Sequence, residues 1–198
     1  MFGFEAITQA VLKSKIVSPH VKSAFGSIQV NGLLEVQGRF EGKGIRGIPT
    51  EKSGLQTGHL KDFPEIVHYN KQYLEQFDQG NYIIIGREMA RFYGWQVGDT
   101  VHLVLPQGGS LRKGMNIRRE EFIIAGFFRT GFYEFDMNLI YMALPTAQRV
   151  LDMPLQVTEV IVQLNDLSSL DFVRSTVRDE LPENPYLYTI RTLKDERG

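Results

Sequence analysis

Residues 82–94 read YIIIGREMARFYG and predict the central element pair of the fold, a strand followed by a short helix. Residues 82–85 form a continuous apolar run, which is typical of a strand buried on both faces. Gly86 then opens a helix over residues 87–93. Gly94 occupies the position after the last helical turn, where glycine commonly ends a helix. This segment fixes one strand and one helix from which the neighbouring elements can be assigned.

The sequence before this segment predicts a hairpin and two helices. Alternating apolar and polar residues over 27–36 indicate a strand, and Gln37-Gly38 a turn into a return strand over 39–48. Residues 4–14 and 63–77 each place apolar side chains on one helical face, so we expect a helix in both places. Residues 48–62, which are polar and contain glycine, predict a crossing loop.

The sequence after this segment predicts strands separated by two further helices. The expected strands cover residues 100–105, 122–128, 138–144, 157–164 and 186–193. Pro145 suits the first turn of a helix that runs to about residue 152. Asp166 is placed to cap a helix whose apolar face contains Leu170, Val173, Val177 and Leu181.

The two ends of the chain mirror one another, which predicts an α+β fold with an insertion. Helix and strands at the N-terminus and strand–helix–strand at the C-terminus resemble two halves of one α+β sandwich. The middle of the chain is richer in short strands. We therefore predict one subdomain from residues 1–48 and 155–198, and a second, mostly β subdomain inserted over residues 49–154.

The composition excludes several classes of function. The net charge is −1, so no basic field favours nucleic acid as a partner. The chain has no cysteine, which excludes disulfides, thiolate metal sites and a cysteine nucleophile. No apolar run approaches the roughly 18 residues that span a bilayer, and the N-terminus lacks signal-peptide features. Taken alone, these features indicate a cytosolic protein, although a domain excised from a membrane protein would have them too.

No catalytic, cofactor or metal constellation is recognisable. The four histidines are scattered, and no two have the i, i+4 spacing of paired helical ligands. The glycines in residues 108–114 are not followed by the Lys-Ser/Thr of a phosphate-binding loop. Glu134 and Asp136 alternate with aromatic residues, which predicts either a half-buried edge strand or a pair of catalytic carboxylates. We predict that the protein is not an enzyme and binds no cofactor or metal.

Residues 107–119 form the most conspicuous irregularity in the sequence. They join two predicted strands, yet they are far more numerous than a hairpin turn requires. Basic and apolar residues are mixed here with no acidic residue before Glu120, which favours either a protein-docking loop or a solvated loop. The candidate partner-binding residues are Leu111, Arg112, Lys113, Met115, Ile117 and Arg118.

Several segments in matching order resemble the periplasmic domain of lipoprotein-releasing ABC transporter permeases of the LolC/LolE family. The residues that carry the resemblance are IIGREMA at 84–90, GWQVGDTV at 94–101, LP at 105–106, FIIAGFF at 122–128, TGFYEFD at 130–136, and AQ at 147–148. Residues 44–49 also resemble the family's Arg-Gly-containing segment before a proline. The likeness runs from about residue 17 to residue 193.

This resemblance implies a fold, a location and partners. The fold would be a porter-like, split βαβ subdomain with a mostly β subdomain inserted, as in the related MacB-type permeases. The sequence would be the region between the first two transmembrane helices, at the periplasmic face of a Gram-negative inner membrane. The implied partners are a LolA-type lipoprotein carrier, a second permease subunit, a cytoplasmic ATPase subunit and lipoprotein cargo. The resemblance places the carrier-binding loop at residues 107–119.

Two other readings of the sequence stay open at this point. The chain could be the periplasmic domain of a MacB-like permease of an efflux or cell-surface system, because the fold would be shared. It could also be a soluble hydrolase that uses Glu134 and Asp136.

Overall fold

The computed structural model describes residues 11–50, 65–109 and 116–180. Its eight strands are β1 Val21–Val36, β2 Arg39–Ile48, β3 Glu65–Tyr69, β4 Tyr82–Gly86, β5 Thr100–Pro106, β6 Ile117–Arg129, β7 Leu139–Ala143 and β8 Glu159–Leu164. Its α-helices are α1 Lys71–Glu75, α2 Arg87–Tyr93, α3 Tyr133–Asn138, α4 Leu144–Val150 and α5 Leu170–Glu180. Short 3₁₀ turns cover Ser18–His20, Gln107–Gly109 and Leu167–Ser169. Residues 11–13 are also helical.

By internal contacts the chain divides into two units. The terminal unit consists of Met1–Phe25 and Val160–Gly198, and the central unit is Gly26–Glu159. The boundaries predicted from sequence, after residues 48 and 154, fall elsewhere. Residue 48 is the last residue of β2, which pairs along its length with β1 and β7 inside the central unit. Strand pairing therefore joins the first hairpin to the elements that follow it.

Six strands of the central unit close into a ring of hydrogen-bonded neighbours. The order is β2-β7-β4-β6-β5-β1, and β1 pairs back to β2. The pairs β2–β7 and β4–β6 are parallel, while the remaining pairs of the ring are antiparallel. Closing a sheet on itself leaves no unpaired edge among these strands.

The predicted first hairpin is confirmed, with its turn at the predicted residues. Gln37 and Gly38 both have positive φ, 49° and 77°, which is the backbone of the tight turn that joins antiparallel strands. The register runs from Val36↔Arg39 to Ile28↔Gly47. β1 begins at Val21, earlier than the alternation in the sequence indicates.

The interior of the ring is filled by aliphatic side chains that alternate along the strands. Ile83 and Ile85 of β4 belong to this interior cluster, together with Ile45, Leu103 and Ile124. Ile84 belongs instead to a second cluster on the outer face. The continuous apolar run of residues 82–85 is explained by this arrangement, because both faces of β4 are covered.

The predicted helix over residues 63–77 is confirmed over residues 71–75 and wrong over residues 65–69. Residues 65–69 form β3, which pairs with β6, and α1 follows directly after Asn70. The Asn70 side chain caps α1 by accepting hydrogen bonds from the backbone N–H of Gln72 and Tyr73. Ile66 and Tyr73 do share an apolar cluster, but strand pairing and a cap bring them there. Apolar residues at helical spacing over 63–77 therefore did not predict the length of α1 correctly.

Among the glycines that the structure describes, Gly86 leaves the least room for a side chain. A Cβ built on Gly86 would lie 1.9 Å from the Asp136 carbonyl oxygen and 2.6 Å from its Cα. The backbone of α3 thus rests directly on the last residue of β4, just before α2, and only glycine leaves room for it.

A buried lysine links β2 to these helices. Lys43, whose side chain is 4 % exposed, donates to the Met137 carbonyl oxygen at 3.2 Å and pairs with Glu41 at 3.4 Å. The Tyr93 hydroxyl donates to the same Glu41 carboxylate, which lowers the pKa of Glu41. Burial and this carboxylate together raise the pKa of Tyr93. The network fixes the C-terminal ends of α2 and α3 against β2.

The described part of the terminal unit packs a small core against α5. Val11, Val17, Ala24 and Val173 are buried together, flanked by Val162, Leu164 and Val177 among others. Asp166 accepts a hydrogen bond from the Ser168 backbone N–H at 2.9 Å, which lowers the pKa of its carboxyl. The predicted cap at Asp166 therefore stands, with a 3₁₀ turn between it and α5. The predicted strand over 186–193 and most of the predicted helix over 4–14 lie outside the described residues.

Candidate functional site

The connection between β5 and β6 is shorter than its sequence indicates. The two strands stay paired to Pro106↔Ile117, so only residues 107–116 join them. The predicted loop over 107–119 therefore ends three residues too late. Ile117, Arg118 and Arg119 are all exposed although they are in a strand. Alternation of apolar and polar residues arises when one face of a strand is buried. The first residues of β6 are exposed, so their sequence does not alternate and does not predict a strand.

The base of this loop is tied to the C-terminal end of α4. The Gln107 side-chain amide donates to the Val150 carbonyl oxygen at 2.9 Å, and the Gly108 N–H donates to the Leu151 carbonyl oxygen at 2.7 Å. These bonds satisfy carbonyl groups that a helix end leaves without an intrahelical partner. Gly108 has a φ of 72°, which glycine adopts without strain. The start of the connection, at Gln107 and Gly108, is thus fixed to α4.

The charged residues at the base are paired with one another. Arg119 contacts Glu35 of β1 at 2.7 Å, and Arg118 forms an ion pair with Glu120. The hydrogen bond from Arg119 lowers the pKa of the Glu35 carboxyl. His102 lies 3.3 Å from Glu121 one strand away. The Arg119–Glu35 and His102–Glu121 contacts join different strands and help to hold β1, β5 and β6 in register, each with a modest contribution.

Two of the six predicted partner-binding residues lie in the described part of the chain. Ile117 is 63 % exposed and begins β6, and Arg118 follows it with its side chain about half exposed. Both are positioned at the mouth of the loop. Leu111, Arg112, Lys113 and Met115 lie outside the described residues. Sequence reasoning missed Gln107 and Gly108 as anchors, although a paired glycine directly after a strand is a usable turn signal.

The predicted extended segment at Glu134 and Asp136 is wrong. Residues 133–138 form α3, so the two side chains are separated by about 200° around a helix axis and do not converge. Asp136 is buried and accepts hydrogen bonds from the Thr130 N–H at 2.9 Å and the Thr130 hydroxyl at 2.7 Å. Glu134 is exposed. Their roles are therefore different, and the Asp136 carboxylate is engaged in shaping the turn before α3.

The other candidates from the sequence are dispersed by the fold. His20 lies in the terminal unit, His68 in β3 and His102 in β5, while His59 is outside the described residues. Within residues 11–50, 65–109 and 116–180, no group of three or more His, Cys, Asp or Glu side chains is arranged to hold a metal. No helix in the same ranges has the length and apolar character needed to cross a membrane.

The sequence is similar to curated LolC proteins. It is 30% identical over 115 residues to the lipoprotein-releasing system transmembrane protein LolC of Xylella fastidiosa strain Temecula1, which covers 58% of the chain and 27% of that relative. It is 25% identical over 154 residues to the LolC of Neisseria meningitidis serogroup B, covering 75% of the chain and 34% of that relative. The chain is similar to LolC over part of that protein's length. It spans about a quarter to a third of the length of these relatives. No family model matches the chain.

Solved structures show the same fold at low sequence identity. The extracellular domain of the noncanonic ABC-type transporter YknZ from Gram-positive bacteria superimposes with a TM-score of 0.54 at 13% identity, over 90% of this chain and 83% of that one. The periplasmic region of MacB from Actinobacillus actinomycetemcomitans gives 0.53 at 10% identity, over 88% and 72%. The fold expected from the sequence, α+β with a porter-like subdomain, is thereby confirmed.

Proposed function

We propose that this chain is the non-catalytic periplasmic domain of an inner-membrane ABC transporter permease that releases lipoproteins and passes them to a periplasmic carrier. The observation that carries the proposal is the sequence similarity to proteins named as LolC, a lipoprotein-releasing system component. The fold supports it, because the structural neighbours are periplasmic or extracellular domains of ABC-type transporters.

The proposal places the chain at the periplasmic face of a Gram-negative inner membrane. The full-length protein would assemble with a second permease subunit and a cytoplasmic ATPase subunit, and it would act on lipoprotein cargo. The domain would transmit motion and dock a partner, which requires no catalytic group.

The proposed docking surface for a LolA-type carrier is the loop between β5 and β6. Its members are Leu111, Arg112, Lys113, Met115, Ile117 and Arg118. Two structural facts support this choice. The loop base is anchored to α4 through Gln107 and Gly108, and Ile117 places an apolar side chain in solvent beside it. A fixed base favours binding because less conformational freedom is lost on association. The exposed Ile117 side chain favours binding because a partner can bury it.

The experiment is a calorimetric titration of the purified domain with its cognate LolA-type carrier. Simultaneous replacement of Arg112, Lys113 and Arg118 by glutamate should weaken binding by at least about tenfold, since like charges at an interface cost several kcal/mol. The matched control is the triple variant Lys13→Glu, Lys15→Glu and Lys71→Glu, which reverses the same number of charges at exposed lysines that belong neither to the loop nor to its base.

The binding constants of the two variants distinguish a role of the loop from an effect of overall charge. Loss of binding in the loop variant with retention in the control supports the loop as the docking surface. Equal weakening by both variants would assign the effect to overall charge and overturn the loop assignment. No binding by the unmodified domain at high concentration would remove the carrier role from this subunit.

The MacB-like alternative shares the fold, so the structural neighbours do not discriminate it from lipoprotein release. Their identities of 10% and 13% carry the fold alone. The sequence relatives reported above are LolC proteins and favour lipoprotein release. The full-length gene provides the test, because a MacB-like permease carries its ATPase on the same chain.

A further inference from the structure

A groove of about 640 Å³ lies on the central unit, away from the loop between β5 and β6. One wall is α2 and the residues just after it. The opposite wall is β3 together with β6 near Phe127. Its principal lining residues are Val67, His68, Arg87, Arg91, Trp95 and Phe127. Phe127 is ten residues along β6 from Ile117, or about 33 Å in an extended strand, so this groove is separate from the proposed carrier-docking surface.

The groove combines cations with aromatic surface. Arg87 and Arg91 are both exposed, and they stand one helical turn apart on α2. The His68 and Phe127 rings lie 5.7 Å apart on the opposite wall. Trp95 is half-buried, with its ring 4.6 Å from that of Tyr93. Arginine beside aromatic rings is a surface suited to planar anions such as carboxylates.

Among the residues that the structure describes, the two arginine side chains are at most weakly engaged. The Arg87 side chain makes no hydrogen bond or ion pair with any residue that the structure describes. Arg91 contacts Glu88 at 3.3 Å, in an exposed pair within one helix. Such pairs contribute little in water, so Arg91 can exchange Glu88 for an incoming carboxylate at small cost.

The spacing of the arginines selects an extended polypeptide. Residues four apart on a helix are separated by about 6 Å along its axis. In an extended chain, residues two apart lie about 6.6 Å from each other and point to the same side. A carboxylate–any residue–carboxylate segment therefore matches Arg87 and Arg91 in register. A single lipid phosphate offers only one anionic group for the two arginines.

We propose that this groove binds an extended acidic segment of a partner protein, in which two carboxylates are separated by one residue. The carboxylates pair with Arg87 and Arg91. The rest of the segment lies over Trp95 and the rings of His68 and Phe127. Sequence reasoning missed the site, although two arginines at i, i+4 followed by tryptophan was the available signal.

Trp95 is the sole tryptophan of the chain, so its fluorescence reports directly on this groove. The domain is titrated with the blocked peptide acetyl-Gly-Glu-Val-Glu-Gly-amide. We expect a saturable change in Trp95 emission that weakens as salt is raised. The Gln-Val-Gln peptide should fail to produce it, and a Glu-Glu-Val peptide, whose carboxylates point to opposite sides, should bind more weakly.

The variants Arg87→Gln and Arg91→Gln should each weaken peptide binding about two- to fivefold, in the range of exposed ion pairs. Arg39→Gln, at an exposed arginine outside both proposed surfaces, is the matched control and should leave binding unchanged. Unaltered far-UV circular dichroism and unaltered emission without peptide show that each variant is folded.

Three results would overturn the proposal: equal binding of the Glu and Gln peptides, no effect of either arginine variant, or a Trp95 response to phosphatidylglycerol vesicles with none to the acidic peptide. The last result would assign the groove to lipid. Because none of these titrations contains the carrier, their failure leaves the proposed docking loop unaffected, and failure of carrier binding leaves the groove unaffected.

Discussion

The arginines at the loop base and the arginine Arg87 of the groove are in different situations. At the start of β6, Arg118 and Arg119 are exposed but already paired with Glu120 and Glu35. In α2, the Arg87 side chain stands beside the groove without a partner among the described residues. A count of basic residues in the sequence points to the loop base. The structure shows that whether an arginine can pair with a partner protein depends on which carboxylates lie near it in space. The local sequence does not give these neighbours.

The two ends of β6 also differ in how they are held together. Near the end of β6, Gly86 pairs with Phe128 and carries α3 backbone directly against it. At the start of β6, exposed ion pairs and hydrogen bonds to α4 fix the loop base. Buried packing is intolerant of added atoms, whereas exposed pairs are weak. Substitutions should therefore cost much more at the groove end.

Gly86→Ala should have the largest effect. The new methyl group would overlap the Asp136 backbone, and backbone cannot move aside as a side chain can. We expect a loss of at least about 3 kcal/mol in the free energy of unfolding, measured by chemical denaturation. Gly42→Ala is the control, because no atom lies within 4 Å of its added Cβ, and it should change stability by less than about 1 kcal/mol. Similar losses of unfolding free energy in the two variants would contradict the expectation that the packing around Gly86 tolerates no added atom.

Asp136→Ala should come next. It removes a buried acceptor and leaves the Thr130 N–H and hydroxyl without their partner, which should cost about 2 kcal/mol in the free energy of unfolding. Glu134→Ala, at an exposed position two residues earlier, should change it by less than about 0.5 kcal/mol. Equal effects on stability would contradict the distinct roles that α3 gives these carboxylates.

Gln107→Ala tests the loop base and should have a smaller effect. It removes the hydrogen bond to the Val150 carbonyl oxygen, worth about 1 kcal/mol. Gln79→Ala, with no side-chain hydrogen bond among the described residues, serves as the control. The amide of Gly108 should also exchange with solvent faster in the Gln107 variant, measured by hydrogen exchange. Unchanged exchange would show that Gln107 does not hold the loop base.

The Glu35–Arg119 pair should give the smallest effect, visible in its pH dependence. The pKa of Glu35 is lowered in the folded protein. The pair therefore stabilises the fold fully above the unfolded-chain pKa of about 4.3, and its contribution is lost as the pH falls through the lower folded pKa. Arg119→Gln should raise the pKa of Glu35, followed by NMR titration. Arg129→Gln, which removes the separate pair with Glu65, should not.

The sequence by itself determined the elements whose residues carry their own local signal. The β1–β2 turn follows from Gln37-Gly38, β4 from its apolar run, and the end of α2 from Gly94, whose φ is 73°. These signals are local because turn geometry, capping and double-sided burial each act within a few residues. The order of the motifs likewise pointed to the LolC relationship that the comparisons support.

Only the tertiary structure decided which residues meet. Glu134 and Asp136 alternate with aromatics as a strand would, yet packing against Gly86 and the bonds to Thr130 favour a helix. Residues 63–77 show a helical face, yet pairing with β6 converts their first part into β3. The groove joins α2, β3 and β6, which are distant in sequence. Strand pairing and backbone contact join residues that are far apart in sequence, so no local sequence pattern encodes them. Carrier binding by the loop between β5 and β6 likewise depends on contacts beyond the local sequence, and it stays a prediction.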